Sequence, residues 1–190
     1  MRRAAFIIIA LIVLIAGAAV LLYPGGSEAS DRLAVGDAAP LFATTGTLAG
    51  ETFPVDLAAE LKKGPVVLYF YPAAFTTGCT LEANAFAEAM PQFRAAGATV
   101  LGLSADPIDK LKKFSVSECR GKFAVAPASE EVIADYGVAL KKAGIATGMT
   151  TRTSYVIGRD GRIAFVHDDM DYKDHVAKTL AAVRALEKVR

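Results

Sequence analysis

The run Val66-Val67-Leu68-Tyr69-Phe70-Tyr71 constrains this chain more than any other stretch. Six apolar or aromatic residues without polar alternation read as a strand buried on both faces, a setting typical of a parallel sheet covered by helices. Pro72 closes it, because proline cannot donate to a strand ladder. The segment Ala73-Ala74-Phe75-Thr76-Thr77-Gly78 then delivers Cys79 to the start of a helix expected over Thr80 to Phe93. Unpaired N–H groups and the positive end of the helix dipole favour the thiolate at such a position, and the thiolate is the reactive form. A buried, inert cysteine is the competing reading. The local pattern alone leaves both open.

Further elements alternate along the chain. Ala98 to Ser104 is a second apolar strand, helix is expected from Asp106 to Cys119, and Lys122 to Val125 reads as a short strand. Thr52 to Leu57 is extended and leads into a turn of helix at 57–62, and Glu130 to Tyr136 is helical. Thr153–Ile157 and Arg162–Val166 flank Gly158-Arg159-Asp160-Gly161, a hairpin signalled by Asp-Gly. The last helix, Lys173 to Val189, carries Val176, Leu180, Val183 and Leu186 at helical spacing. Strands alternating with helices and ending in a hairpin argue an α/β fold with a central mixed sheet flanked by helices.

The first residues follow different rules. Ala4 to Tyr23 contains no charge, and as a helix it would span about 30 Å, the thickness of a bilayer core. Arg2 and Arg3 precede it, which places the N-terminus in the cytoplasm and the remainder across the membrane. The stretch is longer than the apolar region of an ordinary signal peptide, which favours an uncleaved anchor. Ser27-Glu28-Ala29 is a passable cleavage site, so release is the second reading. The expected organisation is an anchor or signal segment at 1–23, a Gly/Ser linker at 24–34 and one domain at 35–190. The expected address is the inner membrane with that domain in the periplasm, or the periplasm itself after cleavage.

Pro72-Ala73-Ala74-Phe75-Thr76-Thr77-Gly78-Cys79 fits Pro-x-x-x-Thr-x-x-Cys, and the chain resembles the peroxiredoxins. Gly78-Cys79-Thr80-Leu81-Glu82-Ala83, with Phe86 behind it, is most similar to the bacterioferritin-comigratory (Q-type) subgroup of the alkyl hydroperoxide reductase and thiol-specific antioxidant proteins. Gly102 to Asp106, Asp135-Tyr136-Gly137-Val138 and Arg152-Thr153-Ser154 before Asp160-Gly161 continue the match over roughly residues 35 to 188. The resemblance implies a thioredoxin-like fold and a thiol-dependent peroxidase with no metal or organic cofactor. It makes Cys79 the peroxidatic thiol and gives Thr76 the hydroxyl that orients sulfur and peroxide. It makes Pro72 the shield of the thiolate and Arg152 the cation that steadies it. The implied partners are a peroxide and an external thiol reductant, a thioredoxin-like protein or a small thiol. The implied assembly is a monomer.

Two departures from the subgroup stand out. Asn84 holds the place where a resolving cysteine is common, so Cys119 becomes the candidate resolving thiol. Its alternatives are a one-cysteine enzyme and a permanent structural disulfide. Thr77 stands where proline is usual, which changes loop stiffness rather than chemistry.

Other classes fare worse. The net charge of +1 is accounted for by Arg2 and Arg3, which leaves no basic face for nucleic acid. Two cysteines without Cys-x-x-Cys exclude a cysteine-only zinc site and a disulfide-dense scaffold. A membrane-anchored thiol–disulfide oxidoreductase wants a cysteine where Glu82 stands, and a copper-delivery module wants one at Ala83. A non-enzymatic thioredoxin-like binding module survives only if Cys79 is unreactive. His167, Asp168, Asp169 and Asp171 read as a solvated turn rather than a metal site, and His175 as a helix-surface residue without a catalytic role.

Overall fold

A computed structural model describes residues 32–187. The segment 1–23, for which an anchor is expected, and most of the linker lie outside the described residues. Among the described residues no helix is long and apolar enough to cross a membrane.

The described residues form nine strands and five helices. They are β1 (Ala43–Leu48), β2 (Glu51–Asp56), α1 (Leu57–Lys63), β3 (Val66–Phe70), α2 (Thr77–Ala95), β4 (Thr99–Ser104) and α3 (Ile108–Ser117). After these come β5 (Ala124–Pro127), α4 (Glu130–Asp135), β6 (Ala139–Lys142), β7 (Ile145–Thr150), β8 (Thr153–Ile157), β9 (Ile163–Asp168) and α5 (His175–Glu187). Seven strands form one sheet in the order β2-β1-β5-β4-β3-β8-β9. Its centre, β5-β4-β3, is parallel, while β1, β2, β8 and β9 pair antiparallel. β6 and β7 make a separate hairpin.

The apolar run behaves as its composition demands. Every residue of β3 is buried, and successive side chains serve opposite faces. Val67, Tyr69 and Tyr71 pack with Ala83, Phe86 and Phe93 of α2, Leu111 and Phe114 of α3, and Leu180 and Val183 of α5. Val66, Leu68 and Phe70 face Leu57 and Leu61 of α1 and Val132 beyond. Each such side chain contributes about 1.5–3 kcal/mol when fully buried. The centre of the sheet at β3 is therefore sealed on both sides, and the end of that strand is where chemistry can be placed.

Three differences from the sequence reading have physical causes. α2 starts at Thr77 rather than Thr80, with Thr76 as the flanking residue, so Cys79 is the third residue of the helix. β1 and the β6–β7 hairpin carry no buried apolar run. Ala43-Thr44-Thr45-Gly46-Thr47-Leu48 is threonine-rich, and β6 and β7 are mostly exposed or half-buried. The β6–β7 turn uses Ala143 and Gly144 at φ 49° and 78°, a type I′ geometry reached without the usual Asn-Gly signal. β9 runs on to Asp168 and pairs with Thr153 and Ser154 of β8, so His167 and Asp168 belong to the sheet rather than to a solvated turn.

Candidate active site

The site forms where β3 ends. Tyr71 still donates its N–H to the Leu103 carbonyl at 3.0 Å, and its own carbonyl accepts from the buried Thr150 hydroxyl at 2.7 Å. The chain then turns away through Pro72 to Thr76. Asp106, just beyond β4, pins this loop. Its carboxylate accepts from the Ala74 N–H at 2.6 Å and the Ser104 hydroxyl at 2.9 Å, and it pairs with Lys110 at 2.6 Å. Phe75 adopts φ 69°, which costs a bulky residue about 1–3 kcal/mol. An edge-on contact with Phe114 at 5.3 Å helps to hold it there.

Cys79 is buried on the first turn of α2. No side chain caps this helix, so its leading N–H groups have no intrahelical acceptor and their partial positive charge stays with the site. The Arg152 guanidinium, only 4% exposed, donates from Nη2 to the Cys79 sulfur at 3.5 Å. Nη1 donates to Glu82 Oε2, and Nε to the Met170 carbonyl at 3.0 Å. Arg152 reaches the sulfur because β8 pairs with β3, with Thr153 opposite Phe70, which brings residue 152 to the same end of the sheet as residue 72. Gly78 makes the approach possible. A Cβ there would lie 3.1 Å from Arg152 Nη2.

Glu82 was invisible as a site residue in the sequence, although its spacing gave the signal. Three positions after Cys79 on a helix lies the same face. Here that face is the sealed one, and Glu82 is completely buried. Burial pushes its carboxyl up to about 8 against the opposing pull of Arg152. Burial works against the charge on Arg152, but Glu82 and Cys79 outweigh it and raise its pKa. Glu82 Oε1 has no hydrogen-bond partner among the described residues and faces His175 Nδ1 at 3.8 Å.

His175 is not the surface histidine that its helical position suggested. Its side chain is fully buried at the start of α5. Nδ1 meets the Ser154 hydroxyl at 2.8 Å, Nε2 meets the Asp169 carbonyl at 2.9 Å, and the His167 ring lies 4.5 Å away. Asp168 accepts from the Thr153 hydroxyl and pairs with Arg32.

The remaining expected residues are placed less directly. Thr76 flanks α2, and its exposed side chain donates to the Ala73 carbonyl at 3.0 Å. Pro72 is half-buried at the loop entrance. Cys119 follows the end of α3, is fully buried, and is not bonded to Cys79. Both thiols are free. Burial, and then Glu118, pushes the Cys119 thiol far up. Asn84, where the subgroup often has a cysteine, donates to Glu118 at 3.4 Å and so bridges α2 to the end of α3.

The arrangement can hold negative charge on one sulfur beside a fixed cation, with further donors on the helix end. Residues 35–166 match the AhpC/TSA family. Peroxiredoxin Bcp of Escherichia coli (strain K12) is 34% identical over 112 residues, 58% of this chain and 72% of that protein. Chloroplastic peroxiredoxin Q of Suaeda salsa is 31% identical over 168 residues, 87% of this chain and 75% of its own. The crystal structure of Peroxidoxin BcpB from Mycobacterium tuberculosis superposes with a TM-score of 0.72 at 32% identity, covering 82% of this chain and 99% of that one. The chain therefore belongs to the AhpC/TSA family and is a peroxiredoxin oxidoreductase with a thioredoxin-like fold.

Proposed function

We propose that this peroxiredoxin reduces hydrogen peroxide and organic hydroperoxides through Cys79, on a domain tethered to the outer face of the bacterial inner membrane. The observation that carries the catalytic part is the buried guanidinium of Arg152 at 3.5 Å from the Cys79 sulfur. Thiolate sulfur attacks one peroxide oxygen, and the O–O bond breaks as the S–O bond forms. The leaving oxygen takes up a proton and departs as water or alcohol, while sulfur becomes sulfenic acid. Arg152 is charged at any working pH and offers donors to the developing oxyanion as well as to the sulfur. Thr76 orients the peroxide, and Pro72 limits water at the sulfur. The sulfenic acid then condenses with a second thiol, releasing water and leaving a disulfide that an external thiol reduces.

Cys119 is the proposed second thiol. Cys119 is fully buried and not bonded to Cys79, and the two sulfurs are proposed to meet when the end of α3 opens and brings their Cα atoms within about 7 Å. The tether is supported by the uncharged stretch Ala4–Tyr23 behind Arg2 and Arg3, and the domain is proposed to act as a monomer.

One experiment tests the chemistry. The reduced full chain receives one equivalent of hydrogen peroxide, followed by intact mass and peptide mapping, with Cys119→Ser alongside. A Cys79–Cys119 disulfide in the parent and sulfenate at Cys79 in the variant are expected. Sulfenate at Cys79 in both makes this a one-cysteine enzyme that depends on an outside thiol, and an unmodified Cys79 rejects the mechanism. Protease protection of the chain in intact and ruptured spheroplasts tests the address. Recovery of the domain in the cytoplasmic fraction would reject it.

A further inference from the structure

Each of the three Arg152 nitrogens has a partner, and the contact that holds Nε comes from the backbone rather than from the sulfur. The Met170 carbonyl that receives Nε belongs to the irregular segment 169–172 between β9 and α5. Two contacts bind this segment to the site. The Asp169 N–H donates to the Arg152 carbonyl at 3.2 Å, and the Asp169 carbonyl meets His175 Nε2 at 2.9 Å. A carbonyl only accepts, so Nε2 carries the proton. In the neutral ring Nδ1 is then bare, and the Ser154 hydroxyl at 2.8 Å donates to it. One imidazole thus ties the segment to β8, the strand that follows Arg152 directly.

We propose that His175, neutral and protonated on Nε2, is a positioning residue of the peroxide site that fixes the Arg152 guanidinium against Cys79. The proposal rests on Cys79 and Arg152 being the reacting pair. The groups facing the ring are Glu82 from α2, Ser154 from β8, Arg152 just before that strand, His167 from β9 and the Asp169 carbonyl from the connecting segment. The neutral form matters for a specific reason. A charged ring would turn a second N–H toward Glu82 Oε1, 3.8 Å away, and compete with Arg152 for that carboxyl group. Burial, aided by His167 and Arg152 and opposed by the Asp169 carbonyl, lowers His175 to about 4 and keeps it uncharged.

The test compares His175→Leu, His175→Gln, Arg152→Ala and the Arg152→Ala/His175→Leu double variant of the full chain. The readout is the second-order rate of Cys79 oxidation by hydrogen peroxide in single turnover. Leucine is expected to slow oxidation about tenfold, because the guanidinium loses its fixed backing. Glutamine can donate to the Asp169 carbonyl and accept from Ser154, so it should stay within about threefold of the parent. In the Arg152→Ala background, leucine should cost nothing more, since residues acting through one another are not additive. An equal loss in that background, or a parental rate for leucine alone, overturns the proposal. Imidazole ¹⁵N spectra of the unmutated protein decide the same question without any variant. A proton on Nε2 alone at pH 7 is expected, and a charged ring or an Nδ1–H tautomer overturns it. A parent whose Cys79 ignores peroxide would instead overturn the functional reading on which this one stands, and the spectra tell the two failures apart.

Discussion

The two cysteines are equally hidden from solvent, yet their surroundings differ in kind. Cys79 lies on an uncapped helix end with a guanidinium at 3.5 Å. Cys119 lies past the far end of α3, where burial and the neighbouring Glu118 both oppose a thiolate. Burial by itself favours the protonated, inert thiol. What separates a reacting sulfur from a resting one is a compensating positive charge delivered inside the same low-dielectric core. Arg152 places such a charge beside Cys79, at the β3 end of the sheet.

The sharpest way to break this comparison is to exchange the sulfurs' fates. Cys79→Ser is expected to abolish peroxide consumption, whereas Cys119→Ser should leave the first oxidation of Cys79 at its parental rate. Peroxide consumption that survives in Cys79→Ser would sink the mechanism. Removing the charge comes next. Arg152→Ala should slow Cys79 oxidation on the order of 10²–10³-fold, the usual cost of losing one fixed donor to a developing oxyanion. Its far-ultraviolet circular dichroism should remain that of the parent. A loss of less than threefold would place the guanidinium outside the chemistry.

Smaller changes sharpen the contrast. Gly78→Ala puts a methyl group 3.1 Å from Arg152 Nη2, so the guanidinium must shift by a few tenths of an ångström. About a tenfold slower oxidation is expected, with little change in melting temperature. A matching loss in an Arg152→Ala background would show that the methyl acts by some other route. The smallest effect is thermodynamic. Glu82 titrates near 8 in the fold against 4.5 in the unfolded chain, so the folded state keeps a proton that the unfolded state releases between those values. Its contribution is present in full below pH 4.5 and disappears as pH rises through about 8. Denaturant unfolding should therefore show the parent losing stability relative to Glu82→Gln across that window. His175 has the opposite sign, because its lowered value withdraws stability as pH falls from 6.5 through about 4. Parallel pH profiles for parent and Glu82→Gln would show that the carboxyl titrates normally.

Much of this was written in the sequence, and the rest was hidden for identifiable reasons. The β3 run, the Asp-Gly hairpin and the helix bearing Cys79 are local patterns, and each formed within a few residues of where periodicity put it. The pairing of Cys79 with Arg152 spans 73 positions and came only from family resemblance, since no local rule joins a helix end to a distant strand. Glu82 and His175 were missed because both are polar residues on helices, where solvent is the ordinary destination. Tertiary packing overrode that expectation by turning both toward the same buried seam. β1, β6 and β7 escaped because strands without a buried face leave no alternation to read.

The register between β3 and β8 has one more consequence. Phe70 and Thr153 are direct partners, so the residues next to them emerge side by side however long the intervening chain is. The β6–β7 hairpin makes a sheet of its own, tied to the site end only through its base, where Thr150 bonds the Tyr71 carbonyl. The exposed tip of that hairpin, residues 141–146, is thus free to diverge in length and surface without altering the spacing between sulfur and guanidinium. The sheet stores that spacing as a matter of alignment, and the loops are left as the part of the protein in which new partners can be tried.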